Sequence, residues 1–443
     1  MENIAAISTG AVASGVAVIR ISGDSPLSLA EKMFKPVKKL AVSQFEPNVM
    51  YAGEISADGF TDFGMCVYFK APKSWTGEDT VEFHCHGGLA ITRGILSKIL
   101  SLGARLAENG EFTKRAFING KLSLASAEGM IDMINSQTVS GVKAGYYLYR
   151  ERLTEEINRL QDVLTDVLAE IDVNMDFPEE GLEETSTDNV LAKLKDVTAR
   201  LNQILSTYRV GRVLKDGVRV GIVGKPNTGK SSLLNALLNY DKAIVSSVAG
   251  TTRDIVEGSI DIEGVRFNFS DTAGIRESDD KIEALGIDLS KRILDESDLI
   301  LLVLDGDDIT AEDDEIYNLV KDKNLLTVLN KTDKSRVKDE RADVYVSALK
   351  KTGIENLRKS IFDKTIGSGV DLGGDFLCEE RHYRAISLAI EKLTQAIEGV
   401  GNASLDLVAI DVKDGWDALG AISGRTATEE IISNIFSKFC VGK

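Results

Sequence analysis

Gly224-Lys225-Pro226-Asn227-Thr228-Gly229-Lys230-Ser231 follows the apolar run Val218-Arg219-Val220-Gly221-Ile222-Val223 and leads into Ser232-Leu233-Leu234-Asn235-Ala236-Leu237-Leu238, a helical pattern. Strand, glycine loop, Lys-Ser and helix, in that order, form the context of a phosphate-binding loop. Its glycines let backbone N–H groups converge on one anion, and the helix N-terminus adds its dipole to the same point. On this reading Thr228, Gly229, Lys230, Ser231 and Ser232 surround the phosphates. Lys230 reaches the β- and γ-phosphates, and the Ser231 hydroxyl holds Mg²⁺.

Asn330-Lys331-Thr332-Asp333 follows a second apolar stretch, Leu325-Leu326-Thr327-Val328-Leu329. A carboxylate at Asp333 can accept from both N1–H and the exocyclic amine of guanine. Adenine lacks that donor pair, so the spacing points to GTP. Asn330 and Lys331 brace the base and the phosphate loop, and Ser347-Ala348 can offer a backbone N–H to the guanine carbonyl. Between the two motifs lies Asp271-Thr272-Ala273-Gly274, after the alternating strand Val265–Ser270. Asp271 is the expected outer carboxylate of the Mg²⁺ site, and the Gly274 N–H meets the γ-phosphate. Ser246-Ser247-Val248-Ala249-Gly250-Thr251-Thr252 fits a first switch, with Thr252 giving a hydroxyl to Mg²⁺.

Ras-type enzymes carry a water-orienting glutamine directly after the Asp-x-x-Gly motif. This chain has Ile275 there, so the water must be positioned from elsewhere. The following segment offers several carboxylates, Glu283 among them. Asn227, inside the phosphate loop, has two readings. It is a turn-former that tolerates unusual φ/ψ, or its amide oxygen ligates a monovalent cation that does the work of an arginine finger.

A chain of 443 residues holds two or three domains. Residues 1–118 mix short strands with helices and read as an α+β domain. Residues 119–210 read as helical: Leu153, Ile157, Leu160, Leu164, Val167 and Ile171 recur at spacings of three and four, as do Leu194, Val197, Leu201 and Ile204. Asp176-Phe177-Pro178 breaks the first stripe. The α/β nucleotide domain spans 217–365, and helical patterning resumes over 375–443 after a glycine-rich linker. The architecture expected is therefore multidomain α/β plus α, with a Ras-like P-loop domain inserted into a helical bundle.

Four scattered cysteines do not make a disulfide framework, and no apolar run approaches a membrane span. A cytoplasmic setting without membrane attachment is expected. The formal net charge of −17 argues against broad, nonspecific nucleic-acid binding; a nucleic-acid partner needs a local basic patch or a partner protein that supplies one. Alternation along Val81–His86 puts Glu82, His84 and His86 on one strand face. These can ligate a metal, but ordinary polar strand residues explain them better. Cys440 fits a prenylation signal poorly, since Gly442 and a terminal Lys443 follow it. A reactive thiol and a small apolar residue at a helix end both remain open for it.

Several further stretches carry a resemblance: Arg20-Ile21-Ser22-Gly23, Thr76-Gly77-Glu78-Asp79, His84-Cys85-His86-Gly87-Gly88, Gly110–Phe117 with Asn119-Gly120-Lys121-Leu122, and the terminal Cys440-Val441-Gly442-Lys443. With the nucleotide motifs they make the chain resemble the MnmE (TrmE) family of tRNA modification GTPases over nearly its whole length. The resemblance implies a homodimer joined by N-terminal domains that bind a 5,10-methylene- or formyl-tetrahydrofolate. Arg20, Glu82, Lys121 and Lys443 match the family's folate positions. It implies a K⁺-dependent GTPase in which Asn227, Ser246, Val248 and Thr251 match the cation ligands and Glu283 matches the residue that positions water. It also implies a heterotetramer with a flavoprotein, MnmG (GidA), that carries the FAD. The pair places an aminomethyl or carboxymethylaminomethyl group on C5 of the tRNA wobble uridine. For Cys440 a catalytic thiol and a positioning residue near the folate both fit that chemistry. The family's Thr-Pro and glycine-rich loop is replaced here by Ser8–Gly15, which has no proline. The rival reading is a regulatory GTPase switch in ribosome assembly, without covalent chemistry; such a switch needs no folate pocket.

Overall fold

The computed structural model describes residues 2–176, 183–239, 258–271, 294–334, 338–367 and 374–443. Phe177 and Pro178 of the expected break and most of the glycine linker lie outside these residues. The described residues form two compact units. One comprises residues 1–131, 148–195 and 391–443; the other comprises residues 132–147 and 196–390.

In the first unit, residues 4–106 supply a seven-stranded sheet of β1 (Ile4–Ile7), β2 (Ser14–Gly23), β3 (Phe34–Pro36), β4 (Met50–Ala57), β5 (Phe60–Phe69), β6 (Asp79–Gly87) and β7 (Arg105–Leu106). The order is β3-β4-β5-β6-β2-β1-β7, antiparallel except for the parallel pair β1–β7. Phe83 and Cys85 turn into the core with Ile19 and Ile21, while Glu82, His84 and His86 alternate to the other face. That is the period-2 pattern of a strand with one buried face.

A buried polar cluster closes the end of this sheet. The Ser22 hydroxyl donates to Glu78 Oε2 at 2.9 Å and meets Thr76 Oγ1 at 2.7 Å. Arg115 donates to Glu78 at 3.0 Å and to Glu111 at 3.1 Å. Thr76-Gly77-Glu78-Asp79 is thus fixed by an arginine far along the chain. The helices Pro26–Glu31 and Leu89–Ser101 pack on this sheet, and longer helices of the unit pack on one another. On Arg152–Asp176 all six residues of the predicted stripe are buried. Gln161 Nε2 donates to Trp416 O at 2.8 Å and Trp416 Nε1 donates to Thr165 at 3.1 Å. These bonds join that helix to Leu405–Ser423.

In the second unit, the run Leu299-Ile300-Leu301-Leu302-Val303-Leu304 shows no alternation. It is buried along its whole length, as a central parallel strand must be. It lies in a six-stranded sheet made of β8 (Val218–Val223), β9 (Gly258–Ile262), β10 (Val265–Asp271), β11 (Leu299–Asp305), β12 (Leu325–Asn330) and β13 (Val344–Tyr345). The order is β13-β12-β11-β8-β10-β9; only the β9–β10 pair is antiparallel. Phe267, Phe269, Leu233 and Leu237 fill one face, and Leu302, Leu304 and Val320 fill the other. The carboxyl ends of β8, β11 and β12 then share one edge, where open parallel sheets bind ligands.

Lys215, next to β8, lies between two carboxylates of the same unit. Its Nζ pairs with Asp132 at 3.0 Å and with Glu379. Burial, then the charge of Glu379, pushes the Asp132 carboxyl up to about 8. That is above the ordinary value of about 3.9. The folded chain therefore keeps a proton that the unfolded chain releases. The resulting stability is complete below about pH 4 and is lost as the pH rises through the folded value. Thermal denaturation of Asp132→Asn checks this. Its melting temperature should gain on the wild type's as the pH is raised from about 5 to about 9. Parallel curves across that range would contradict the assignment.

Candidate nucleotide-binding site

β8 ends at Val223, and the chain enters the loop through Gly224 at a φ of +148°. A Cβ on Gly224 would lie 2.4 Å from the Val303 carbonyl of the neighbouring strand. Asn227 follows at a φ of +66° and Gly229 at +90°, after which the helix Lys230–Leu238 begins. A Cβ on Gly229 would stand 2.5 Å from Asn330 Nδ2. Gly224 is therefore required by the backbone of β11 and Gly229 by the Asn330 side chain at the end of β12, as well as by the turn itself.

The loop's polar groups are held from inside. Lys230, itself buried, donates from Nζ to the Gly224 and Lys225 carbonyls, both at 2.9 Å. Thr228 Oγ1 donates to the same Lys225 carbonyl at 3.1 Å. Ser231 and Ser232 are exposed at the head of the helix, beside the loop.

The Asn330–Asp333 motif braces the loop from the next strand but one. Asn330 Nδ2 donates to Thr228 O at 2.9 Å, and Asn330 Oδ1 accepts from Ala348 N at 3.1 Å. Lys331 sits at a φ of +62° and donates to Asn227 O at 2.7 Å and to Asp305 Oδ2 at 2.6 Å. Left-handed backbone at Asn227 and Lys331, two non-glycine residues in contact, marks a place where the fold overrides local preference. The Ser347 hydroxyl donates to Asp333 Oδ1 at 2.5 Å and holds its carboxyl below the usual range. Asp333 is thus kept charged and able to accept. The Ala348 N–H already serves Asn330, so a guanine carbonyl would share that donor.

The described residues bring together Asn227, Thr228, Gly229, Lys230, Asn330, Lys331, Asp333, Ser347 and Ala348. Ser246, Ser247, Val248, Ala249, Gly250, Thr251, Thr252, Thr272, Ala273, Gly274 and Glu283 lie outside the described residues, as does the Asp271 side chain. Ser231 and Asn227 are the described members of the Mg²⁺ and K⁺ sets. Both are exposed at the loop and carry oxygen donors, the chemistry that hard cations take. Two contributors went unread in the sequence. Asp305, the last residue of β11, accepts from Lys331, and Lys225 is tied to residues beyond β11. The one available signal was the acidic run Asp305-Gly306-Asp307-Asp308 ending an apolar strand.

A second cluster belongs to the first unit. Arg20 and Glu82 face each other across β2 and β6, with Nε to Oε1 at 2.7 Å. Arg20 also lies over the Phe112 ring, 5.6 Å from its centroid. Burial raises Glu82, but His84 and Arg20 outweigh it and leave the carboxyl below its ordinary value. A paired carboxylate and guanidinium suit a pterin edge, and nearby cations suit a glutamate tail. Lys121 donates to Pro72 O at 2.8 Å and lines a cleft of about 330 Å³ with Trp75, Ser126 and Tyr149.

The C-terminus folds back onto the same unit. Val441 forms a β-bridge with Asn109, and Gly110 N donates to Cys440 O at 3.4 Å. Gly442 sits at a φ of +99°, where a Cβ would lie 2.3 Å from Ile7 O. The glycine of the terminal Cys-x-Gly-Lys is therefore demanded by close approach to β1, which also places Lys443 there. Cys440 is exposed, whereas Cys66, Cys85 and Cys378 are buried. Burial pushes the Cys85 thiol up to about 11.

Known proteins share this organisation. The family model described as "GTP-binding protein TrmE N-terminus" matches residues 3–121, and the one described as "MnmE helical domain" matches residues 124–440. The tRNA modification GTPase MnmE of Thermoanaerobacter pseudethanolicus is 37% identical over 457 residues, covering 100% of this chain and 99% of the relative. That of Clostridioides difficile is 37% identical over 455 residues, with the same coverage. Among solved structures, Era of Aquifex aeolicus is 31% identical over a region covering 40% of this chain and 66% of that one, with a TM-score of 0.28.

Proposed function

The chain belongs to the MnmE family of tRNA modification GTPases, and from that premise we propose that it hydrolyses GTP in a K⁺-dependent reaction that serves tRNA wobble-uridine modification. The single observation that carries this is the phosphate loop locked to Asn330 and Lys331, with a charged Asp333 beside it. Guanine meets Asp333, the phosphates lie along Thr228–Ser231, and Lys230 exchanges two loop carbonyls for phosphate oxygens. Ser231 and Thr252 would hold Mg²⁺, and Asn227, Ser246, Val248 and Thr251 would hold K⁺; the two cations would supply positive charge at the phosphate oxygens. Glu283 orients the attacking water in place of the absent glutamine.

The N-terminal unit binds a reduced folate through Arg20, Glu82, Lys121 and Lys443. That folate would supply the one-carbon unit, and glycine or ammonium the nitrogen, for the group placed on C5 of the uridine with a flavin-containing partner, within a dimer of this chain. Cys440, exposed beside the anchored C-terminus, is the thiol available to that chemistry. Among the described residues no helix is long and apolar enough to cross a membrane. A cytoplasmic location follows from the tRNA substrate.

Reconstitution tests this reading. The chain, the flavoprotein, unmodified tRNA, methylene-tetrahydrofolate, glycine or ammonium as the amine, MgCl2, GTP and KCl should yield (carboxymethyl)aminomethyluridine. GTP hydrolysis with no modified uridine, and no folate bound in calorimetry, would favour the ribosome-assembly switch instead. In the same assay Glu283→Ala should slow hydrolysis by about 10²-fold or more while GTP still binds. An unchanged rate would exclude this carboxylate.

A further inference from the structure

Of the two lysines in the phosphate loop, Lys230 turns back onto loop carbonyls, whereas Lys225 reaches out of the loop to residues 308–313. It is 7% exposed, and its Nζ lies 3.1 Å from Asp313 Oδ2, a carboxylate only 1% exposed. It also pairs with Asp308 Oδ2 at 3.1 Å and donates to the Asp308 carbonyl and to Thr310 Oγ1. Asp313 is itself fixed, since Oδ2 accepts from Thr310 N at 2.8 Å in the cap of the helix Ala311–Val320. Lys331 pairs with Asp305, at the start of the same segment. Residues 305–313 therefore grip the loop through two lysines.

The backbone side of Lys225 gives this grip a use. Its carbonyl is the shared acceptor of Lys230 Nζ and Thr228 Oγ1. When Lys230 turns to the phosphates, the loop loses two of the bonds that hold its shape. The Lys225 side chain is then a remaining tether of that stretch, together with Lys331 on Asn227 and Asn330 on Thr228.

We propose that Lys225, anchored by Asp313 and Asp308, is a positioning residue that keeps the phosphate loop open for nucleotide once Lys230 has left its carbonyls. The proposal rests on the nucleotide reading above. It makes the segment after β11 part of the phosphate site, although it is remote from the phosphates in sequence.

The test compares Lys225→Met, Lys225→Arg and the double variant Lys225→Met/Asp313→Asn in the full chain. GTP affinity is measured by calorimetry alongside the melting temperature. The double variant removes the lone buried carboxylate that the single one leaves, and an asparagine can still accept from Thr310 N. It should therefore recover melting temperature. A positioning role requires that GTP affinity stay on the order of tenfold to a hundredfold weaker in it. Lys225→Arg should bind GTP close to the wild-type level. Lys225→Met binding GTP as the wild type does would overturn the proposal. So would a double variant that recovers affinity together with stability, because the effect would then be one of folding alone. If Lys225→Met does not fold, the double variant decides. A wild-type chain without GTP affinity would defeat the nucleotide reading itself, and the brace with it.

Discussion

Asp333→Asn is expected to weaken GTP binding by about 10⁴- to 10⁵-fold, the scale on which a site with unmatched polar groups rejects a ligand. On the proposed reading the carboxylate would accept two hydrogen bonds from guanine; an amide would present an N–H toward one of those donors. Xanthine carries a carbonyl where guanine carries its amine, so the same variant should take up xanthosine triphosphate. Asp333 is held by the Ser347 hydroxyl and is not part of a core, so the change should leave folding intact. Competition binding with the two nucleotides reads both effects. A variant that keeps its preference for GTP would place the base elsewhere.

The second large effect concerns stability. Arg115 is 9% exposed and donates to Glu78, also 9% exposed, and to Glu111. Glu78 Oε1 is buried with no hydrogen-bond partner. Arg115→Met would leave that buried carboxylate without its cation, with, among the described residues, only the Ser22 hydroxyl on it, at a cost of about 3–5 kcal/mol. Urea denaturation of the N-terminal unit in the full chain should show it. Adding Glu78→Gln to the variant should return a substantial part, because the stranded charge is gone. A loss of less than about 1 kcal/mol would mean that water already reaches the cluster.

Much of this was legible because it is written in short-range pattern. The phosphate loop could be read from glycine spacing between a strand and a helix. The stripe from Leu153 to Ile171 could be read from its period, and the alternation of Glu82, Phe83, His84 and Cys85 from the pleat. What could not be read joins residues far apart in the chain. Arg115 on Glu78 and Lys225 on Asp313 look like ordinary surface charges until the fold removes them from water. The need for Gly442 depends on the Ile7 carbonyl, more than four hundred residues away. The Ala348 amide also looked free for the base, yet it is shared with Asn330. The switch residues proposed for K⁺ and water stand on the family resemblance and on the missing glutamine at Ile275.

The most direct measurement is single-turnover hydrolysis of GTP and ATP in KCl and in NaCl by the purified chain. Asn227 in the loop and Asp333 at the base pocket predict rapid hydrolysis of GTP in KCl, a much slower reaction in NaCl, and no appreciable turnover of ATP in either salt. Equal rates in the two salts, or for the two nucleotides, would contradict the account.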